Sequence, residues 1–204
     1  ILHTADWHLG QTFYEYDRRE EHFHFLEWLK QQIKQHEIDV LLIAGDVFDS
    51  PNPSAESQRV YYRFLREVTS ENPSLQIVII AGNHDSAARL EAPNPLLEDM
   101  NIIVRGTVRR NAEGDIDLQH FIVPLYTEGK VTAYCLAVPY LRQGDYPSAE
   151  NYSKGVQQLY EQLFNKVKEK GIPVVAMGHL QATGSEISED DRSERTVIGG
   201  LECV

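Results

Sequence analysis

Cysteine is scarce in this chain. Only Cys135 and Cys203 occur among 204 residues, and neither belongs to a CxxC pair. A disulfide framework is therefore not expected, and a reducing cytoplasm is the expected compartment. Long apolar runs are also missing. None approaches the roughly 20 residues that a bilayer span requires, so no membrane association is expected. The opening residues, ILHTAD, lack the basic and long apolar regions of a signal peptide and do not begin with Met. The first residues of the gene product are expected to precede Ile1. Positive charge is in short supply too, with a formal net charge of −12. Taken alone, that balance argues against a nucleic-acid partner. It carries less weight if the acids cluster around bound cations, or if a local basic patch or partner subunit supplies the contact. The chain is 42% hydrophobic and 25% charged, a globular composition, and long enough for one sizeable core. One α/β domain is expected rather than two small ones.

Four short, nearly continuous apolar runs read as buried strands: residues 1–5, 40–44, 77–81 and 174–177. Runs of Val, Ile and Leu without alternation suit strands covered on both faces. Further strands are expected at 102–105, 119–123 and 132–138. Helical spacing marks 18–36 (Phe23, Leu26, Leu29, Ile33), 54–70 (Val60, Phe64, Leu65, Val68) and 151–170 (Val156, Leu159, Leu163, Phe164, Val167). Ser54 is placed to cap the second helix and Gly171 to stop the third. Strands alternating with helices predict a sheet built by crossovers. Residues 111–117 (NAEGDID) read as a turn, and the acidic stretch 186–194 as an exposed loop.

The chemistry lies in the residues that close each of the four runs. Asp6-Trp7-His8 comes after the first, Gly45-Asp46-Val47-Phe48-Asp49 after the second, Gly82-Asn83-His84-Asp85 after the third and Gly178-His179 after the fourth. In open α/β sheets, ligands bind outside the carboxyl ends of the strands. Asp6 and His8, two apart on extended backbone, would face the same way and chelate one ion. Asp46 has two oxygens and can bridge two ions. Asn83 offers a neutral carbonyl oxygen and His179 an imidazole nitrogen. A mixed nitrogen and oxygen set without thiolate suits Mn²⁺, Fe²⁺ or Zn²⁺. A pair of such ions is a standard device of phosphoryl chemistry.

DxH, GDxxD, GNHD and GH in this order resemble the calcineurin-like metallophosphoesterases. The flanking words narrow the resemblance. Residues 3–11 (HTADWHLGQ), 44–54 (AGDVFDSPNPS), 81–86 (AGNHDS), 178–194 (GHLQATGSEISEDDRSE) and 198–204 (IGGLECV) are similar to the SbcD family of bacterial double-strand-break repair nucleases. The resemblance covers essentially the whole chain. It implies a four-layer α/β/β/α sandwich and two divalent ions, Mn²⁺ for preference. Asp6, His8 and Asp46 would hold the first ion. Asp46, Asn83 and His179 would hold the second, with Asp46 bridging. It makes His84 the catalytic histidine and Asp49 the residue that orients it. The implied activity is 3′-to-5′ exonuclease on double strands and endonuclease on single strands, in DNA repair and recombination. The implied partners are DNA and the SbcC coiled-coil ATPase, in an assembly with two copies of each protein. The family pattern closes with a GHxH motif that adds one histidine to each metal, with a capping domain beyond it. Residues 1–204 stop short of both, so the chain is expected to be a truncated nuclease domain with weakened metal binding.

For DNA contacts, Arg89 is the first candidate, with Asn52 and Ser54 after it. Arg59, Arg63 and Arg66 read as a solvated helix face. Phe13, Tyr14 and Tyr16 suit either stacking on bases or packing in the core or a loop. His22, His24, His36 and His120 have no strand-end setting, and Cys135 reads as a small buried hydrophobe. Two rival readings stand: a metallophosphoesterase acting on a small phosphate ester, and a non-catalytic scaffold on the same fold.

Overall fold

The computed structural model describes residues 1–180. The expectations for the acidic stretch 186–194, Cys203, residues 198–204 and the missing last motif lie outside the described residues. In chain order the elements are β1 (Leu2–Thr4), β2 (Thr12–Phe13), β3 (Tyr16–Asp17), α1 (Arg19–Gln35), β4 (Val40–Ala44), α2 (Ala55–Glu71), β5 (Gln76–Ile80), α3 (Ala87–Glu91), α4 (Asn94–Leu97), β6 (Ile102–Arg105), α5 (Leu118–Phe121), β7 (Ile122–Thr127), β8 (Lys130–Ala137), α6 (Tyr152–Val167) and β9 (Val174–Met177). Strands β1, β4, β5 and β6 form a parallel sheet in the order β1-β4-β5-β6. A second sheet runs β7-β8-β9, antiparallel in its first pair and parallel in its second. β2 and β3 make a separate hairpin.

Alternation along the strands builds the layers. Leu41 and Ile43 of β4 and Ile77 and Ile79 of β5 pack on one face of the first sheet with Leu29 and Ile33 of α1 and Phe64, Leu65 and Val68 of α2. Val40, Leu42, Ala44, Val78 and Ile80 turn to the other face. There they meet Val123, Leu125, Ala133, Cys135, Ala137 and Met177 of the second sheet. The outer face of that sheet, with Ile122 and Leu136, packs under Val156, Leu159, Leu163 and Val167 of α6. The result is the α/β/β/α sandwich, with the first sheet's inner strands covered on both sides. Full burial of one such aliphatic side chain contributes about 1.5–3 kcal/mol, so the three interfaces dominate the stability.

Ser54 caps α2, accepting from the Ser57 amide, and Gly171 turns left-handed (φ 69°) after α6 and one further turn of 3-10 helix. Four local outcomes differ from the sequence reading. Residues 119–121 are a helical turn, because the Asp117 carboxylate accepts from the Gln119 amide and caps it, and strand begins only at Ile122. β1 is less covered than expected, with Leu2 and Thr4 half-buried and His3 exposed, and so is β9. Val174 and Val175 are half-buried and Ala176 is exposed, since among the described residues no strand pairs on its outer side. The β2–β3 hairpin turns through Tyr14 and Glu15, both at positive φ, without the Gly or Asn that usually announces such a turn. α3 and α4 are too short to show a helical period in sequence. No helix among the described residues is long and apolar enough to cross a membrane.

Gln76 ties the sheets together. It sits in β5, 1% exposed, and reaches across the interface to β7. Its Nε2 donates to the Pro124 carbonyl at 2.9 Å and its Oε1 accepts from the Tyr126 amide at 3.1 Å. Those groups flank the register shift at Leu125/Tyr126, where the β7–β8 ladder is irregular. Gln76→Leu leaves both half-buried backbone groups without their partner, a loss of about 1 kcal/mol. Urea unfolding should show a lower midpoint at unchanged slope.

Candidate metal centre

The turns after β1, β4, β5 and β9 gather at one edge of the sandwich. Three come from the first sheet and one from the second. The turn after β1 is laced onto the turn after β4: Asp6 N–H donates to the Gly45 carbonyl (3.1 Å), His8 to Asp46 (3.0 Å) and Leu9 to Val47 (3.0 Å). This lacing continues the parallel pairing beyond the strands. It does so on strained backbone, because Asp6, His8 and Asp46 all adopt left-handed φ values of 57°, 46° and 48°. The extended backbone expected for Asp6 and His8 is therefore absent. Their side chains converge because both residues turn left-handed. Each such residue costs on the order of 1–3 kcal/mol, a strain that clusters at functional sites.

Two glycines make the crowding possible. Gly45 has φ 92°, and a Cβ there would meet the His179 ring at 2.5–2.8 Å. A Cβ on Gly82 would collide with the Asp46 carboxylate and main chain. Asp85, to which the sequence reading assigned no role, braces both turns. It is 2% exposed, and its carboxylate accepts from Gly82 (2.9 Å), Val47 (3.2 Å) and Phe48 (3.0 Å). Burial and the charge of Asp46 push its carboxyl above the usual range, working against those three amides. Its one sequence signal was its place in GNHD.

Asp46 is the hub. It is 3% exposed. Its Oδ1 accepts from the His84 amide at 2.8 Å. Its Oδ2 lies 3.7 Å from His8 Nε2 and 3.5 Å from His179 Nε2, between two imidazoles. Asp6 Oδ1 stands 3.9 Å from His8 Nε2. On the other side, His179 Nε2 lies 2.9 Å from Asn83 Oδ1, while its Nδ1 donates to the Ala44 carbonyl at 2.8 Å. Both expected sets, Asp6–His8–Asp46 and Asp46–Asn83–His179, are thus brought together around one carboxylate oxygen.

These atoms fit a cation. Two donors bound to one ion at about 2.0–2.2 Å stand roughly 3–4 Å apart; the separations between Asp46, Asp6, His8 and His179 fall in that range, and His179 to Asn83 lies just below it. A backbone carbonyl on His179 Nδ1 leaves Nε2 as the ligand nitrogen, the usual outer support of a metal-binding histidine. Asp6, His8 and Asp46 also form a compact group of potential ligand atoms, as do His8, Asp49 and His84. Burial opposes the charge on Asp46, but the hydrogen bond and charge of His179 and the His84 amide outweigh it and hold the carboxyl below the usual range. The same pairing raises His179 to about 9 against its own desolvation.

Asp49 supports two histidines by two different groups. Its backbone carbonyl, rather than its carboxylate, accepts from His84 Nδ1 at 2.9 Å. Its carboxylate stands 3.5 Å from His8 Nδ1, a buried nitrogen without a hydrogen bond. The rings of His8 and His84 meet edge to face at 4.8 Å.

Of the expected DNA contacts, Arg89 and Asn52 come together, with the guanidinium donating to the amide oxygen at 2.6 Å. Ser54 is occupied by its cap and by the Ser57 hydroxyl at 2.8 Å. Arg59 pairs with Glu56 and Arg66 approaches Glu67. Phe13, Tyr14 and Tyr16 are 63%, 83% and 65% exposed, so they do not pack in a core. His22 and His120 are buried and belong to neither group of potential ligand atoms. Burial pushes the Cys135 thiol up to about 12, which leaves it a small apolar group.

Residues 1–200 match the family model of the calcineurin-like phosphoesterases. The chain is 41% identical to the SbcD subunit of the SbcCD nuclease from Rhodobacter capsulatus, over all of this chain and 53% of that protein. It is 31% identical to the SbcD subunit from Escherichia coli K12, over all of this chain and 51% of that protein. For the Bacillus subtilis counterpart the identity is 29%, over 94% of this chain and 49% of that protein. The chain spans about half the length of these relatives.

This geometry makes two outcomes testable. Gly82→Ala displaces Asp46 and should weaken divalent-cation binding by about 10–100-fold in calorimetric titration, with far-UV circular dichroism retained. In chelator-treated protein, the raised His179 pKa stabilises the fold fully below its ordinary value of 6.5, and this contribution is lost as pH rises through about 9. Wild-type Tm should therefore fall between pH 6.5 and 9.5 relative to His179→Gln, measured in parallel.

Proposed function

The chain belongs to the calcineurin-like phosphoesterases, and from that premise we propose that it is the catalytic part of a metal-dependent DNA nuclease, cutting phosphodiester bonds in repair and recombination. The observation that carries this reading is the Asp46 Oδ2 set between the Nε2 atoms of His8 and His179, with His84 alongside. Similarity to proteins named as SbcD subunits of the SbcCD nuclease supports DNA as the substrate. The finer features are 3′-to-5′ exonuclease and single-strand endonuclease action, Mn²⁺ as the ion, an SbcC-type ATPase partner, two copies of each protein in the assembly, and a cytoplasmic setting.

Asp6, His8 and Asp46 would hold one divalent ion, and Asp46, Asn83 and His179 the other. Such ions supply Lewis-acid polarisation of a phosphoryl oxygen and a water made acidic near neutral pH. The protein's own groups do the rest. Asp85 keeps the turns carrying Asp46 and His84 at fixed separation. The Asp49 carbonyl holds the Nδ1 proton of His84, so proton exchange at this ring takes place at Nε2. His84 Nε2 is then the atom that stabilises the phosphate or protonates the leaving 3′ oxygen. The Asp49 carboxylate, close to His8 Nδ1, supports that imidazole from behind. Arg89 with Asn52, and the exposed rings of Phe13, Tyr14 and Tyr16, are the groups offered to the DNA backbone and bases.

The test is Mn²⁺-dependent cleavage of an end-labelled oligonucleotide by the gene-length protein, with and without its ATPase partner. Cleavage should fall by about 10²–10⁴-fold in His84→Ala while metal content is unchanged. Faster turnover of an aryl phosphate than of DNA would favour a small phosphate ester as substrate. No turnover of either would favour a scaffold.

A further inference from the structure

The segment after β8 carries a feature that the metal centre does not use. The Tyr140 amide donates to the Ala81 carbonyl at 2.8 Å, two residues before Asn83. The Tyr140 ring meets the His179 ring edge to face at 6.3 Å. The Arg142 guanidinium lies over the Tyr140 ring, 5.7 Å from its centroid. The turn presenting Arg142 is closed on itself: Asp145 N–H donates to the Arg142 carbonyl at 2.9 Å, and the Arg142 amide donates to the Asp145 carboxylate at 2.8 Å. Arg110 anchors the same turn from outside by donating to the Gly144 carbonyl.

Asp145 is thus spent on the Arg142 backbone. Among the described residues the Arg142 guanidinium has neither an ion-pair nor a hydrogen-bond partner. Among the described residues Arg63, exposed on α2, shares this, while Arg89, Arg105 and Arg110 donate to neutral oxygens. Arg18, Arg19, Arg59, Arg66 and Arg109 all lie against carboxylates, as a net charge of −12 leads one to expect. A guanidinium stacked on an aromatic face keeps its N–H edges directed outward, and its fork matches phosphate geometry. The aromatic shelf also restricts the side chain in advance, so little freedom is lost when an anion binds.

We propose that Arg142, laid on Tyr140, binds a phosphate of the polynucleotide strand next to the scissile group, on the flank of the metal centre that the second sheet provides. This rests on the nuclease reading above and deepens it. Arg89 and Asn52 occupy the flank that the first sheet provides. A strand crossing the centre would be held from both sheets, with the reacting phosphate between the two contacts. Tyr140 is a positioning residue here, acting through Arg142.

The experiment compares wild type, Arg142→Ala, Arg142→Lys and Tyr140→Leu in the gene-length protein. Binding of a labelled single-stranded oligonucleotide is followed by fluorescence anisotropy over a range of KCl concentrations. Mn²⁺-dependent hydrolysis of bis(4-nitrophenyl) phosphate, a diester with no neighbouring phosphate, is measured alongside. Arg142→Ala should weaken oligonucleotide binding by about tenfold and reduce the salt slope by about one. Its cleavage of DNA should drop about tenfold more than its hydrolysis of the small diester. Arg142→Lys should recover part of the affinity and the slope, and Tyr140→Leu should lose affinity while keeping the slope. Unchanged affinity and slope in Arg142→Ala, beside normal wild-type binding, overturns this inference alone. Equal losses on both substrates overturn it too, since they place Arg142 in support of the metal centre. Wild type that hydrolyses the small diester yet neither binds nor cuts DNA sinks the nuclease reading together with it.

Discussion

A carboxylate removed from water must be compensated by nearby positive charge or hydrogen-bond donors, and Asp46 obliges the surrounding turns to provide both. Its Oδ1 takes the His84 amide, while its Oδ2 faces the imidazoles of His8 and His179. Those three partners come from three separate strand ends, one of them in the other sheet. The left-handed backbone at Asp6, His8 and Asp46, the glycines at 45 and 82, and the brace at Asp85 all result from crowding so many groups around one oxygen pair. A protein that needed only a stable sandwich would have no reason to carry that strain.

The division of labour between the sheets has a simple physical origin. Parallel strands end at one edge, so β1, β4 and β5 deliver their turns side by side. Because β9 runs parallel to β8 in the second sheet and Nδ1 of His179 donates to the Ala44 carbonyl, His179 meets the same end from across the apolar interface. Asp49 shows how economically the turns are used, since one residue supports His84 through its carbonyl and stands behind His8 with its carboxylate.

The four strand ends were legible because each is a continuous apolar run closed by chemically distinctive residues. Apolar continuity reports double coverage at β4 and β5 but not at β1 and β9, and Asp, Asn and His directly after such a run have few uses in a core. The capping of α2 by Ser54 was legible for the same local reason. What sequence could not show was pairing at a distance. Asp85 looked like the tail of a motif, and its role exists only once the turns after β4 and β5 lie side by side. Gln76 opens an apolar strand, and nothing nearby announces an irregular edge 48 residues away. A spacing of two residues places Asp6 and His8 on one side of an extended chain, whereas lacing onto Gly45 and Asp46 turns both left-handed. At residues 119–121 a local cap from Asp117 overrode apolar character.

The amide of Gln76 fastens the two sheets at the end of β5 remote from the turns, while the bonds from His179 to Ala44 and from Tyr140 to Ala81 fasten them beside the metal centre. A box pinned at both ends does not gape. Sliding or parting the sheets would break these bonds at one end or the other, so the groups around Asp46 move with the sheets that carry them. Access to such a centre has to be governed by what approaches it. Any group that binds at this edge meets side chains whose spacing the two sheets set jointly.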